Sequence, residues 1–228
     1  MTRPIPSSVL RFMDTIEELC GEEHRSWAIN FKASFANTLE TTLKTYDDGT
    51  SFLLTGDIPA MWLRDSTAQL KPYLFLAKTD ASMRQIIAGL VKRQFRYICI
   101  DPYANAFNEE ENSKGHQADH TQMGPWIWER TENPYYYQGS AASGIGSSHT
   151  PKNYIWHIAL ALQGLTALDQ KDKADMLDLL VATDAGTHLM HEGFDVNDPS
   201  HYTREWFSWA NMMFCELLLD YLGFTISP

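Results

Sequence analysis

Apolar residues at helical spacing constrain the fold of this chain more than any other feature. Between residues 8 and 19 they recur at i, i+3, i+4 and i+7, as Val9, Leu10, Phe12, Met13, Ile16 and Leu19. This is the pattern of an amphipathic helix. The same periodicity predicts helices over 25–45, 81–98, 153–168, 171–182 and 200–222. Only residues 51–54 suggest a strand, and strands and helices do not alternate along the chain. The sequence therefore predicts an all-α protein built from helical hairpins.

Capping residues, prolines and aperiodic segments indicate where the helices begin and end. A further helix is predicted to begin at Asp65 or Ser66, either of which could cap it, and Pro72 predicts a kink or stop within it. Asp198 followed by Pro199 predicts the start of the last helix. Residues 101–150 are rich in Asn, Gly, Pro, His and aromatic residues. Because such a long irregular segment is uncommon in a compact domain unless it is functional, we expect long loops on one face.

Composition excludes several classes of partner. The chain has 228 residues, of which 44% are hydrophobic, so residues 1–228 are predicted to form a single domain. The net charge of −11 disfavours nucleic acid, whose phosphates need clustered Lys and Arg, and also disfavours anionic membranes. Three scattered cysteines suggest a reducing compartment. Since neither a signal peptide nor a bilayer-spanning run is apparent, we expect a cytoplasmic protein.

The densest group of candidate functional residues lies between residues 55 and 66, which read TGDIPAMWLRDS. Two carboxylates, a guanidinium and a tryptophan crowd around a predicted helix start. Sugar sites use this mixture, because Asp and Arg bind hydroxyl groups and an aromatic ring packs on the C–H face of the sugar. The alternative is a structural role in which Asp65 caps the helix and pairs with Arg64.

A second group lies between residues 188 and 211. Glu192 precedes a loop glycine, a position that suits a general base drawing a proton from water. Trp206 and Trp209 are three residues apart, so they could equally pack in the core. Arg204 and Glu205 could form a solvated pair.

The histidines and glycines of the chain do not form a recognisable cofactor motif. His188, His191 and Glu192 lack the His-Glu-x-x-His order and an evident third ligand. Residues 116–120 are interpreted as solvated surface. Residues 139–148 are glycine-rich but lack the Lys-Ser/Thr ending of a phosphate loop. We therefore expect no metal and no cofactor.

Several motifs together resemble glycoside hydrolase family 125. The resemblance is carried by GDIPAMWLRDS (56–66), DPYANAFN (101–108), WIWER (126–130), ENPYYY (132–137), GIGS (144–147), YIW (154–156), MHEGF (190–194) and residues 203–211. It covers most of the chain in family order. It implies an exo-acting α-1,6-mannosidase that inverts the anomeric centre without a metal, on an (α/α)6 toroid.

The resemblance also assigns roles to individual residues. Glu192 corresponds to the general base, and Asp57, Arg64 and Asp65 fall where the family holds the terminal mannose. The full set of predicted substrate contacts is Asp57, Trp62, Arg64, Asp65, Asn105, His149, His191, Arg204 and Trp206. The expected partner is a mannose-containing oligosaccharide.

The chain departs from the family pattern near residues 130 and 131. Family members carry a long middle portion there, which includes the aspartate that acts as general acid. Its absence predicts a partial toroid with exposed helical edges through which the chain could self-associate. Activity would require a replacement acid, for which Asp101, Glu129 and Glu132 are the candidates. The alternative functions are an inactive remnant, a sugar-binding module or a helical interaction module.

Overall fold

The first two helices form a hairpin. The computed structural model describes residues 5–100, 106–111 and 135–224. Helix α1 (Ser7–Cys20) confirms the first predicted helix and buries one face, Val9, Met13, Ile16 and Cys20, against α2 (Arg25–Asn37). The prediction that the second helix reaches residue 45 is wrong, because a π-helical turn (Thr38–Thr42) and strand β1 (Leu43–Thr45) follow α2. The hydroxyls of Thr41 and Thr42 donate to carbonyls four residues earlier, an interaction that bends and weakens helices.

The next segment leads into the longest helix. Strand β2 (Ser51–Leu53) pairs antiparallel with β1 and confirms the predicted strand. Strand β3 (Met61–Trp62) passes directly into α3 (Leu63–Leu70), which therefore starts two or three residues earlier than the predicted Asp65 or Ser66. The predicted interruption at Pro72 is confirmed, since a 3-10 turn (Lys71–Tyr73) separates α3 from α4 (Leu74–Ala77). Helix α5 (Ala81–Ile100) follows.

The rest of the chain alternates short strands with three helices. Strand β4 (Ala106–Phe107) pairs with β3, and β5 (Tyr136–Gln138) pairs with β6 (Ser143–Ile145). Strand β7 (Tyr154–Trp156) precedes α6 (His157–Thr166), which is followed by α7 (Gln170–Ala182). Strands β8 (Gly193–Asp195) and β9 (Tyr202–Thr203) complete a sheet of order β7-β8-β9, and α8 (Ser208–Tyr221) comes last.

Two predicted helix starts in this region are wrong. Residues 154–156 pair with β8 before α6 begins. The last helix starts at Ser208 and not near Asp198, whose carboxylate accepts hydrogen bonds from Ser200 within a local turn. A side chain suited to an N-cap can equally close such a turn, and here the turn leads into β9.

Helix α8 packs against helices from both halves of the chain. It packs against α2 and α3 from the first half and against α6 and α7 from the second. Its buried face is apolar, including Met212, Phe214, Leu217 and Leu218. At its first turn, the hydroxyls of Ser208 and Thr38 are 2.9 Å apart. This packing holds the loop before α8 close to the turn between β2 and β3.

The observed architecture is helix-rich, as predicted, and it also contains short strands. The described residues contain nine short strands in four small sheets. Within the described ranges, no helix combines the length and apolarity needed to cross a membrane. All three cysteines are free, with Cys20 and Cys215 buried and Cys99 exposed. The predicted seam at residues 130 and 131 lies outside the described residues.

Candidate functional site

One arginine joins two distant parts of the chain. Arg204 Nη1 donates a hydrogen bond of 2.9 Å to Asp57 Oδ1, and Arg204 Nε lies 2.9 Å from Glu192 Oε2. The Glu192 and Arg204 side chains are 12% and 21% exposed, whereas that of Asp57 is 50% exposed. The structure therefore brings the two predicted groups of site residues together at the protein surface.

The turn that presents Asp57 is closed by its own backbone. The Thr55 N–H donates to the Ala60 carbonyl, and the Ala60 N–H donates to the Ile58 carbonyl. Gly56 has a φ of +85°, in the left-handed region that favours glycine. A Cβ built on Gly56 would lie 3.6 Å from the Trp206 ring and 3.5 Å from the Ser208 backbone nitrogen. The turn thus packs against the start of α8 and points Asp57 towards Arg204.

Antiparallel pairing sets Glu192 opposite Arg204. Strands β8 and β9 align Gly193 with Thr203, and the Glu192 N–H donates to the Thr203 carbonyl at 3.2 Å. The residues just outside this pair are Glu192 and Arg204, so their side chains emerge next to each other. Because facing positions of paired strands are close, the sheet register brings these two residues next to each other.

Asp65 adds a third carboxylate near the same charge. It lies in the first turn of α3, is 3% exposed, and accepts a hydrogen bond from Arg64 Nε at 3.1 Å. Burial raises the pKa of Asp65, while the positive charges of Arg64 and Arg204 act in the opposite direction. No hydrogen bond from the Asp65 side chain to the α3 backbone is present, so the predicted capping role is not observed in the described structure.

Aromatic rings surround these charges. The Arg64 guanidinium lies 4.3 Å from the centre of the Trp209 ring, which meets Trp156 edge-on at 6.1 Å. The Arg204 guanidinium lies 4.9 Å from the centre of the Phe207 ring. Trp209 and Trp206 are both half-buried, so neither is a purely internal core residue. Charged groups beside partly exposed aromatic rings are the combination that a sugar requires.

His191 was predicted to contact substrate, but its position supports another role. The side chain is completely buried, with Nδ1 2.9 Å from the Arg204 carbonyl and Nε2 3.2 Å from the Asp184 carbonyl. The ring stacks on Tyr202 with centroids 3.7 Å apart. Since neither ring nitrogen faces the surface, we correct the prediction: the His191 side chain is not placed to contact a sugar in this structure.

The remaining predicted residues lie around this centre or outside the described residues. Trp62 is half-buried, and its backbone N–H donates to the Thr55 hydroxyl. His149 is exposed, and its backbone N–H donates to Ser147 Oγ. Asn105 and the three candidate acids, Asp101, Glu129 and Glu132, are outside the described residues.

Sequence reasoning missed His157 and the arrangement of charges at the site. His157 is completely buried at the start of α6 and contacts the backbone of His191. Its apolar surroundings could have been inferred from the helical pattern, but its partner, 34 residues later, could not. Arg204 was predicted as a substrate contact, but its pairing with both Glu192 and Asp57 was not predicted, because the sequence offered only the neighbouring Glu205 as an ion-pair partner.

At the site, the Arg204 guanidinium lies at the protein surface between the carboxylates of Glu192 and Asp57. A cleft of about 440 Å³ lies elsewhere, between the β1–β2 hairpin and α5, and its lining includes Tyr46, Ser82 and Lys92. In the part of the chain that the structure describes, no three His, Cys, Asp or Glu side chains are grouped so as to hold a metal ion.

Comparisons with known proteins agree on one family. The sequence profile of the family described as metal-independent α-mannosidase (GH125) matches residues 24–131 and 125–219. The meiotically up-regulated gene 157 protein of Schizosaccharomyces pombe is 46% identical over 90 residues. That match covers 40% of this chain and 18% of the yeast protein.

A solved structure extends the likeness to the fold. It comes from a study of metal-independent α-mannosidases and shows a Streptococcus pneumoniae protein in a non-productive complex with α-1,6-mannobiose. It matches with a TM-score of 0.88 and 30% sequence identity, covering 97% of this chain and 99% of that chain. From the profile matches over most of its length, the chain belongs to the GH125 family of metal-independent α-mannosidases.

Proposed function

We propose that this chain binds the terminal mannose of an α-1,6-linked oligosaccharide and hydrolyses its glycosidic bond with inversion. The single observation that carries the proposal is the Arg204 bridge, in which one guanidinium pairs with Glu192 and with Asp57, a residue 147 positions away from Arg204 in the sequence. Glu192 is the general base in this mechanism, drawing a proton from the water that attacks the anomeric carbon. The α-1,6-mannobiose bound to the S. pneumoniae relative supports the choice of substrate.

The surrounding residues suit a neutral sugar. Asp57 is half-exposed and can accept hydrogen bonds from hydroxyl groups, and the Arg64 and Arg204 guanidiniums can donate them. Trp206 and Trp209 offer aromatic faces for the C–H side of a pyranose ring. An overall charge of −11 disfavours nucleic acid and anionic membranes as partners.

Inversion also requires a general acid. The two carboxyl groups of an inverting glycosidase lie about 6.5–9.5 Å apart, which leaves room for water beside the sugar. In this chain, we propose Asp101, Glu129 or Glu132 for that role. A cytoplasmic location also remains a prediction from the sequence.

Mannose release from α-1,6-mannobiose tests the proposed function. We expect the parent chain to release mannose, and ¹H NMR of the first turnovers to show β-mannose, the inverted anomer. The substitution Glu192→Gln should lower kcat by about 10²- to 10⁴-fold, the usual contribution of a general base.

Glu205→Gln is the matched control. Glu205 is exposed and lies in the same loop, so its replacement should leave the rate within about twofold of the parent. No mannose release at high protein concentration, or equal rates for Glu192→Gln and the parent, would exclude the proposed mechanism.

The second candidate is a sugar-binding protein without catalysis, built on a partial toroid. It is favoured by the two family-profile matches, which overlap at residues 125–131 and support a seam near residues 130 and 131. If the segment that carries the general acid is absent, binding residues could persist without turnover. Calorimetric binding of α-1,6-mannobiose by a chain that releases no mannose would favour this candidate.

A partial toroid would also leave helical surface available for self-association. Helix α5 exposes Val91, Phe95, Ile98 and Ile100. We propose that a second copy of the chain covers these side chains, since exposed apolar patches commonly mark interaction surfaces.

A further inference from the structure

Two buried histidines lie directly behind the Glu192–Arg204 pair. His157 and His191 are each 0% exposed, and their ring centroids are 5.7 Å apart. Neither side chain reaches the surface where a sugar would bind. Both, however, contact the backbone of the segments that carry the charged side chains.

His157 holds the residue before Glu192. The His191 N–H donates to His157 Nδ1 at 2.8 Å, so that nitrogen carries no proton. The proton of the neutral ring is therefore on Nε2, which lies 3.2 Å from the Thr183 hydroxyl. Thr183 in turn donates to the Leu179 carbonyl at 2.8 Å. This chain of contacts anchors the backbone at position 191 to the end of α7.

His191 holds the backbone of Arg204. Its Nδ1 lies 2.9 Å from the Arg204 carbonyl and its Nε2 lies 3.2 Å from the Asp184 carbonyl. Both carbonyls can only accept, and the shorter contact places the proton of the neutral ring on Nδ1. Burial lowers the pKa of His191, which favours this neutral form. The opposite nitrogen, Nε2, also lies 3.3 Å from the Thr187 hydroxyl, which donates its proton to the Asp184 carbonyl at 2.7 Å.

The backbone of Arg204 adopts a conformation that a contact from outside its own segment can stabilise. Its φ is +59°, a left-handed conformation that a residue with a Cβ seldom adopts. The side chain nevertheless has to leave the backbone in the direction that reaches both Glu192 and Asp57. A hydrogen bond to the carbonyl of the strained residue stabilises that conformation over the extended alternative.

We propose that His191 is a positioning residue, whose Nδ1–H group fixes the left-handed backbone of Arg204 and thereby directs its guanidinium between Glu192 and Asp57. The inference deepens the proposed function and rests on it for its catalytic consequence. The positioning itself is a structural property, so it can be tested whether or not the chain hydrolyses mannosides.

Two substitutions separate positioning from general support of the fold. His191→Asn places an amide N–H near the Nδ1 position, whereas His191→Gln places it near the Nε2 position. Both variants lose the ring and its stacking on Tyr202. Only His191→Asn keeps a donor for the Arg204 carbonyl.

The first measurement follows Arg204 directly. In ¹⁵N-edited NMR spectra, the Arg204 Nε–H signal is identified by its absence from Arg204→Lys, and its exchange with water reports on the ion pair. We expect slow exchange in the parent chain and in His191→Asn, and at least about tenfold faster exchange in His191→Gln.

The second measurement uses the reaction. A displacement of about 1 Å in a catalytic group can cost about 100-fold in rate. We therefore expect kcat for α-1,6-mannobiose to fall about 100-fold in His191→Gln and less than tenfold in His191→Asn. If the parent releases no mannose, the proposed function fails, but the exchange measurement still tests the positioning.

The parent chain provides a test that does not depend on a variant folding. The imidazole ¹⁵N spectrum of His191 should show Nδ1 as the protonated nitrogen. Protonation of Nε2 instead would overturn the proposal. Slow Arg204 Nε–H exchange in a folded His191→Gln, or equally fast exchange in folded His191→Asn and His191→Gln, would overturn it as well.

Discussion

His157 links the candidate site to the stability of the fold. It is completely buried, and burial lowers its pKa to about 3, with the neighbouring His191 acting in the same direction. The folded protein therefore keeps this ring neutral above about pH 3, and the neutral ring accepts the hydrogen bond from the His191 N–H. In the unfolded chain the same ring takes up a proton below its ordinary pKa of 6.5. Protonation consequently favours the unfolded state between pH 6.5 and pH 3.

We predict that the free energy of unfolding falls as the pH is lowered from 7 to 5. One proton bound only by the unfolded state changes this free energy by about 1.4 kcal/mol per pH unit once the pH is below 6.5. Urea denaturation at pH 7, 6 and 5 measures the slope. In His157→Gln the protein should be less stable at pH 7 but should lose less stability on acidification. Parallel pH dependences in the parent and His157→Gln would contradict the prediction.

Two helical glycines show how closely the elements of the fold pack against each other. A Cβ built on Gly89 of α5 would lie 2.5 Å from Ser51 Oγ, 2.9 Å from Ser51 N and 3.0 Å from the Gly49 carbonyl oxygen. A Cβ built on Gly164 of α6 would instead meet the methyl groups of Leu217, at 2.6 and 2.9 Å. Relieving the contact at Gly89 would require the hairpin backbone to move, whereas the ends of a leucine side chain can turn away. The β1–β2 hairpin is therefore packed closely against α5.

We predict that Gly89→Ala destabilises the protein by about 1–3 kcal/mol, as overpacking usually does. Alanine is the better helix former by about 1 kcal/mol, so propensity alone predicts the opposite sign. Gly164→Ala is the matched comparison and should cost clearly less, since its neighbours are flexible. Urea denaturation at pH 7 measures both. Equal stability changes, or a more stable Gly89→Ala, would show that the hairpin can move.

At the scale of the whole molecule, α5 separates a packed face from an exposed one. Met83, Ile86, Leu90 and Tyr97 are buried, while Phe95 and Ile100 are 64% and 68% exposed. A helix that is apolar on two sides is usually covered on both. The chain as a whole belongs to a family whose profile it matches in two stretches. Association with a second copy of the chain would cover the exposed apolar side of α5.

We predict that the chain self-associates through the exposed face of α5. Sedimentation velocity over a range of concentrations should show dimers or larger species, because association removes apolar surface from water. Phe95→Glu should shift the distribution to monomer. Leu168→Glu is the control, because Leu168 is a fully exposed leucine in the turn between α6 and α7. A parent chain that remains monomeric at all concentrations would exclude this assembly.

Local sequence determined the helices with clear periodicity. The spacing of Val9, Met13 and Ile16 was sufficient to predict α1, and Pro72 was sufficient to predict the interruption after α3, because both effects act within a few residues. The motifs around residues 56–66 and 190–194 identified the family, which the comparisons confirm. The short strands were missed because a strand of two or three residues has too little pattern to distinguish it from a helix end or a loop.

Only the tertiary structure decided which side chains meet. The pairing of β8 with β9 sets Glu192 beside Arg204, and packing of the Gly56 turn against α8 brings Asp57 to the same guanidinium. Tertiary packing also buries His191, which the family motif at residues 190–194 suggested as a contact for the sugar. Residue types and local spacing indicate which groups can bind a sugar, but the distances between those groups depend on contacts across more than a hundred residues.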